Sequence, residues 1–256
     1  MNNARAGGVS LNPFELDRDA VMWAGLKALD SVAVRCSMVE EHQIFPNTLF
    51  PWTEHLEAAW RTIRAEADEV LHDRHSIPPL RELSPDHRKI AVDDRWRSFF
   101  LWGYGLRRQS NCERCPETAR LLEGIPDLLS AFFSVLLPGS HIPRHTGPTK
   151  TILTAHLGLT VPRDRQACHM RIGDHDIAWE EGRLLIFDDM YPHEVWNDTE
   201  EDRIVLLLHI KRPQRFPGSL MSDGFFAALR CSHLVQDGLR NLDNWERSLR
   251  ARAASL

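Results

Sequence analysis

The spacing of apolar side chains along the 256-residue chain changes character twice. In the first half apolar positions recur every three or four residues between charged ones, which predicts helices. Residues 17–35 form the first such stretch, with Val21, Leu26 and Leu29 following Asp17 and Asp19. Phe45-Pro-Asn-Thr-Leu-Phe-Pro51 then breaks any helix twice, because proline lacks the N–H that a helix needs. The clearest amphipathic helix is predicted over Trp52 to Asp73, where Trp52, Leu56, Trp60, Ile63, Val70 and Leu71 share a side. Residues 74–92 are proline-rich and read as loop. Pro116 to Leu129 predicts another helix, carrying Thr118, Leu121, Leu122 and Ile125.

From residue 131 the apolar residues gather into short runs instead. Ala131 to Leu137, Thr151 to Val161, Cys168 to Ile172, Arg183 to Phe187, His193 to Trp196 and Arg203 to Ile210 predict strands. Between them lie turn residues: Pro138-Gly139, Gly147-Pro148, Pro162-Arg163-Asp164, Gly173-Asp174, Glu181-Gly182 and Asn197-Asp198. Short strands in succession predict a sandwich or barrel and exclude alternating βαβ units. The tail from Ser222 to Leu256 returns to helical spacing through Phe225, Leu229, Leu234, Leu239, Leu242, Trp245 and Leu249. The expected fold is a β-rich α+β domain, a jelly-roll core buttressed by N- and C-terminal helices. No linker separates the helices from the strands they would cover.

Composition narrows the function classes. A net charge of −5 and a pI near 6.2 provide no basic field for nucleic acid, and the basic clusters Arg107-Arg108 and Lys211-Arg212 are short. No run approaches the roughly 18 apolar residues that span a bilayer. Met1 to Ser10 lacks the apolar segment of a signal peptide, so cytoplasm is the expected compartment. Five cysteines (36, 112, 115, 168, 231) at scattered spacing do not make a disulfide framework. Cys112-Glu-Arg-Cys115 is a single CxxC pair, half of what a structural zinc site needs.

Three features of the strand-rich block carry chemistry. His145-Thr-Gly-Pro-Thr149 follows a strand and a turn. Phe187-Asp-Asp-Met-Tyr-Pro-His193-Glu-Val-Trp196 is a buried strand that ends in two acids and then a histidine. Arg203 opens the apolar run Ile204 to Leu208. Imidazole suits iron, zinc or copper, and two histidines from different strands can chelate one ion and leave positions open. An arginine at the mouth of an apolar strand is costly to bury alone and calls for a bidentate carboxylate. The pattern therefore points to a metal together with a carboxylate-bearing cosubstrate. His141, His169, His175 and His209 lack such company and read as surface or packing residues.

With these residues in view the chain resembles the aspartyl/asparaginyl β-hydroxylase family of Fe(II)- and 2-oxoglutarate-dependent oxygenases. The matching segments are Trp96-Arg-Ser-Phe-Phe-Leu101, Ser134-Val-Leu-Leu-Pro-Gly139, His145-Thr-Gly-Pro-Thr149 and His156-Leu-Gly-Leu159. They continue through Trp179-Glu-Glu-Gly182, Phe187-Asp-Asp189, His193-Glu-Val-Trp-Asn197 and Arg203. The resemblance covers residues 45–213, leaving 1–44 as an N-terminal extension and 214–256 as a helical tail packed on the same domain. It implies a double-stranded β-helix, cupin-like, and a reaction that turns 2-oxoglutarate and O2 into succinate while hydroxylating an amino acid or peptide-like substrate. His145 and His193 match the iron ligands. Arg203 and Ser134 match the groups that hold the distal carboxylate of 2-oxoglutarate, and His156 matches a polar residue near the reacting ends. Asp189 is placed to hold metal-bound water or to orient His193. Gly147 stands where most 2-oxoglutarate oxygenases supply a third, carboxylate ligand.

The chain also departs from the family. An arginine that usually lies two positions before the second-strand histidine is Thr154 here, and Lys150 replaces an asparagine. Threonine cannot neutralise a buried substrate carboxylate, so an Asp side chain held in the usual way is not the expected substrate. Thr154, Trp96 and Lys150 are the residues expected at the substrate pocket. The competing readings are a halogenase exploiting Gly147, a lipid hydroxylase of the same fold, and a non-catalytic carboxylate-binding barrel.

Overall fold

In the computed structural model, which describes residues 18–72 and 77–253, two antiparallel sheets face each other. The larger has the order β1-β9-β6-β11-β4-β2-β3 and the smaller β5-β10-β7-β8, numbered in chain order. The first strands are β1 (Ile44–Phe45), β2 (Trp96–Gly103), β3 (Leu106–Arg107), β4 (Leu128–Leu136) and β5 (Ser140–His145). They are followed by β6 (Ile152–Thr160), β7 (Cys168–Ile172), β8 (His175–Ile177), β9 (Leu184–Phe187), β10 (His193–Asn197) and β11 (Arg203–Lys211). Non-sequential neighbours in both sheets give the jelly roll that the strand spacing predicts.

Alternation along the central strands separates two interiors. Phe99, Phe133, Val135, Leu153, Ala155, Leu157, Leu206 and Leu208 point away from the small sheet, into a core closed by helices. Those helices are α2 (Trp52–Ala58), α3 (Trp60–Leu71), α5 (Gln109–Arg114) and α6 (Pro116–Glu123), which contribute Leu56, Ile63, Val70, Cys112, Cys115 and Leu122. The opposite side of the same strands carries Trp96, Phe132, Leu136, Val205 and Leu207. These pack against Ile142, Met170, Ile172 and Val195 of the small sheet. The functional residues lie in this second interior. The remaining helices, α1 (Arg18–Arg35), α4 (Leu80–Leu83), α7 (Gly218–Arg230) and α8 (His233–Ala253), complete the flanks.

Several sequence expectations need correction. The single helix expected over Trp52 to Asp73 is two, bent at Ala59 with φ −95° and ψ 7°. The bend lets two side chains reach the turn before β9: Glu57 accepts the Leu184 N–H, and Trp60 lies where a side chain on Gly182 would stand. The helix expected over Pro116 to Leu129 ends at Glu123, and Leu128 already begins β4. Residues 74–92 are not all loop, since α4 and a 3₁₀ turn at Pro85–Lys89 lie within them. Strand β5 was hidden because Ser-His-Ile-Pro-Arg-His is mostly polar, and its proline is tolerated on the edge of the small sheet. The first 17 residues of the expected N-terminal extension lie outside the described residues. Among the described residues no helix is long and apolar enough to cross a membrane.

Candidate active site

His145 ends β5, His193 begins β10, and the two are register partners across that antiparallel pair. Their rings lie 4.1 Å apart, tilted by 54°. Each ring folds back on the backbone two residues earlier: His145 Nδ1 lies 2.8 Å from the Pro143 carbonyl and His193 Nδ1 3.0 Å from that of Tyr191. A carbonyl only accepts, so both Nδ1 atoms carry the proton and both Nε2 lone pairs are free. Burial lowers the basicity of both rings, His193 to about 4 with help from His145. Two neutral imidazoles of fixed tautomer on paired strands could supply two ligands to a transition-metal ion.

The adjacent acids have opposite surroundings. Asp188 is fully buried and doubly neutralised, receiving Lys150 Nζ at 2.9 Å and the Arg212 guanidinium. Asp189 is buried as well, yet its Oδ1 has no partner, and only Thr154 Oγ1 reaches its Oδ2, at 3.1 Å. Burial, reinforced by the charge on Asp188, raises the Asp189 carboxyl to about 7. A Cβ on Gly147 would lie 2.1 Å from Asp189 Oδ1. The Asp189 carboxylate therefore occupies the space that a side chain at position 147 would fill, and glycine is required there.

Deeper in the barrel lies Arg203. It is 1% exposed, its Nε and Nη1 have no partner, and its guanidinium lies 4.6 Å from the Trp179 ring centre. Burial lowers its pKa to about 10, which still leaves it charged at neutral pH. Ser134 sits one strand away on β4, its Oγ accepting the Trp96 indole N–H at 3.0 Å, so its own proton stays available. Ser98 Oγ lies opposite Ser134 on β2, wholly buried and without a partner. His156 stands between the two ends: Trp179 Nε1 donates to its Nδ1 at 3.1 Å, and Phe187 covers it edge-on at 5.1 Å. Burial, then the charge on Arg203, pushes its pKa well below the ordinary imidazole value. A buried cation with no counter-ion among the described residues, and a serine hydroxyl on the next strand, together suit a carboxylate.

The sequence-based candidates thus divide. His145, His193, Asp189 and Thr154 come together at one end, and Arg203, Ser134 and His156 line the same interior. Trp96, expected at the substrate mouth, holds Ser134 instead. Lys150, expected in the substrate pocket, is tied to Asp188 and to Glu41 at 2.7 Å, and its ammonium lies over the Tyr191 ring. Ser98 escaped notice because a serine in an apolar strand carries no signal of its own. His209, read as surface or packing, points into the barrel beside Thr154 and Ser130. Alternation from Arg203 would have placed it there, because both occupy odd positions of one strand.

The family model described as "Aspartyl/Asparaginyl beta-hydroxylase" matches residues 57–213. An ornithine lipid ester-linked acyl 2-hydroxylase of Rhizobium tropici is 33% identical over 91% of this chain and 81% of its own length. The human aspartyl/asparaginyl beta-hydroxylase is also 33% identical, over 63% of this chain but only 21% of that protein. A prolyl-4-hydroxylase crystal structure from Pseudomonas putida covers 72% of this chain and 98% of its own, at 18% identity and a TM-score of 0.38, too distant to bear on the argument. With the match spanning both histidine segments and Arg203, the chain belongs to the aspartyl/asparaginyl β-hydroxylase family.

Proposed function

We propose that this chain is an Fe(II)- and 2-oxoglutarate-dependent dioxygenase that hydroxylates the acyl chain of a lipid-like substrate. Arg203 carries the reaction class. A charged guanidinium, buried with two donors unused among the described residues and with Ser134 on the neighbouring strand, calls for an anion beside it. A dicarboxylic 2-oxo acid supplies that anion and reaches back toward the histidines. His145 and His193 would hold the iron, which when bound supplies the activation of O2 coupled to decarboxylation of the 2-oxo acid. The protein's own part is positioning. The Pro143 and Tyr191 carbonyls fix the imidazoles, Thr154 orients Asp189, and Asp189 Oδ1, without a partner among the described residues, is left to accept a hydrogen bond next to the histidines. The same carboxylate fills the space a halide would need and repels it, which disfavours the halogenase reading.

The substrate class rests on the wall opposite the histidines. Phe100 and Phe132 stack at 4.5 Å and, with Leu207, give the inner face of β2, β4 and β11 an apolar lining. Thr154 replaces the family's arginine, and the nearby cations Lys150 and Arg212 are already neutralised by Glu41 and Asp188. Such a pocket suits a hydrocarbon chain next to a neutral carbonyl and penalises a carboxylate. The relative that matches nearly the whole chain, helical flanks included, is named for such a substrate. The amino-acid or peptide-like substrate expected from sequence is the second reading, favoured by the human relative over the central segment.

The deciding experiment offers Fe(II), 2-oxoglutarate and O2 with an acyl-ester lipid in detergent and, separately, an Asp-containing peptide. Succinate and a lipid product heavier by one oxygen are expected, together with silence from His193→Ala. Oxygenation of the peptide alone would select the second reading. Absence of iron-dependent succinate formation with any substrate would leave the non-catalytic barrel.

A further inference from the structure

Eight large apolar side chains are exposed among the described residues, and five of them, Val34, Met38, Phe216, Leu220 and Met221, fall in two segments that lie together. The end of α1 and the chain after it meet the segment between β11 and α7. The Met38 N–H donates to the Pro213 carbonyl at 2.9 Å, and the Arg215 N–H to that of Cys36 at 2.8 Å. Phe216 is 76% exposed and Met38 69%. The apolar character continues along α7. That helix buries Gly218, Ser222 and Phe226 and turns Leu220, Met221, Gly224, Ala227 and Ala228 outward. A monomer surface rarely concentrates apolar groups in this way without a partner.

Charge identifies the partner. Arg35 and Arg215 lie within this face, both exposed, and neither forms an ion pair among the described residues. By contrast Lys150 and Lys211, at the same end of the barrel, are each held by two carboxylates. Protruding apolar side chains beside unneutralised guanidiniums match the boundary between phosphate headgroups and acyl chains. The face also adjoins the candidate site. Arg212, three residues before Arg215, binds Asp188, the neighbour of Asp189. Asp30 of α1 accepts the Lys150 N–H and the Thr149 hydroxyl on the loop that follows His145.

We infer that this face docks the protein on an anionic phospholipid surface, with Phe216, Leu220 and Met38 entering the headgroup boundary and Arg35 and Arg215 meeting phosphates. The purpose of the docking, delivery of an acyl chain to the barrel mouth, rests on the acyl-lipid reading above; the docking itself is measured without it. Full-length protein is floated with vesicles of phosphatidylcholine alone or mixed equally with phosphatidylglycerol. Binding to the mixed vesicles is expected. Phe216→Glu combined with Leu220→Glu should weaken it about tenfold or more, since buried apolar area is replaced by repelled charge. Arg35→Gln with Arg215→Gln should bring mixed-vesicle binding down to that of neutral vesicles and flatten its salt dependence. Substrate-independent conversion of 2-oxoglutarate to succinate should be the same in all variants, which reports that they fold. Wild type that stays off the vesicles, or glutamate variants that bind equally well, would overturn the proposal. So would a concentration-dependent dimer abolished by the glutamates, which would assign the face to a second copy of the chain. Vesicle binding without lipid oxygenation would leave docking intact and remove the acyl reading; oxygenation in detergent without vesicle binding would do the reverse.

Discussion

Arg203 and Asp189 each sit in an unfavourable environment, buried with polar atoms that have no partner among the described residues, and that is what makes the site useful. Removing a lone buried charge usually stabilises a protein, because the desolvation cost goes with it. Arg203→Met should therefore raise the stability of the ligand-free protein by about 1–4 kcal/mol. It should also abolish the increase in melting temperature that 2-oxoglutarate gives wild type. If the variant is less stable without ligand and still responds to 2-oxoglutarate, Arg203 already has its counter-ion elsewhere. Arg203→Gln should raise the apparent KM for 2-oxoglutarate by a factor set by a lost charge pair of about 2–5 kcal/mol. Ser134→Ala should act in the same direction by about 1 kcal/mol. At Asp189 the constraint is steric. Gly147→Ala puts a methyl 2.1 Å from Oδ1 and must displace the carboxylate or the loop. Gly147→Asp, which would install the usual third ligand, should then inactivate rather than convert the enzyme. Measured succinate formation at the wild-type rate in Gly147→Asp would show that Asp189 moves aside freely.

At the level of elements, the apolar strands β4, β6, β7, β9, β10 and β11 are legible in the sequence, whereas β2, β5 and the helix limits are not. A run such as Arg203 to Ile210 is apolar throughout because both of its faces are buried, one under helices and one in the barrel. Period alone could not say that β2 is a strand, since Trp-Arg-Ser-Phe-Phe-Leu-Trp-Gly has no clean alternation when both faces are covered. Helix limits failed where tertiary contacts decide them, as at Ala59 and Glu123. The metal pair was legible because both histidines sit in recognisable segments. The substrate wall was not, because Phe100, Phe132 and Leu207 look like any core residues until the register shows which way they face. The CxxC pair illustrates the same limit. Cys112 and Cys115 are buried at the α5–α6 junction among Ala119, Leu122 and Leu101. Burial pushes the Cys115 thiol up to about 12 and that of Cys168 to about 11, and it raises Cys112 as well. In native protein at pH 8 a thiol reagent should label exposed Cys231 quickly and these three only after unfolding. Rapid native labelling of Cys115 would mean that the α5–α6 junction opens readily.

Across the whole molecule, the histidines gathered around the barrel interior set how the fold responds to pH. Residues facing the helices, such as Leu153, Ala155, Leu157, Leu206 and Leu208, are completely buried, whereas Ser130, Phe132, Thr154, His156 and Leu207 keep 3–7% of their surface. Five imidazoles lie in or next to this interior: His87 against Trp96, His209 against Phe132, His156 against Phe187, and His145 against His193. All five are held below the ordinary histidine value, with burial as the largest cause, and His87, His193 and His209 fall to about 4. The folded chain therefore resists protonation that the unfolded chain accepts near pH 6.5. Between pH 6.5 and about 4 the unfolded state binds more protons, so stability must fall as pH falls through that window; the contribution is fully present above it. His87 and His209 have no place in the proposed metal chemistry, which makes them the residues to test. Both residues keep part of their surface exposed, so the loss per residue is discounted to about 1–2 kcal/mol. Metal-free protein should show urea midpoints that decline from pH 7 to pH 4.5. His87→Gln combined with His209→Gln should decline more shallowly, because two proton uptakes are removed. Identical slopes for wild type and the double variant would mean that these two rings titrate normally in the native protein and are hydrated there.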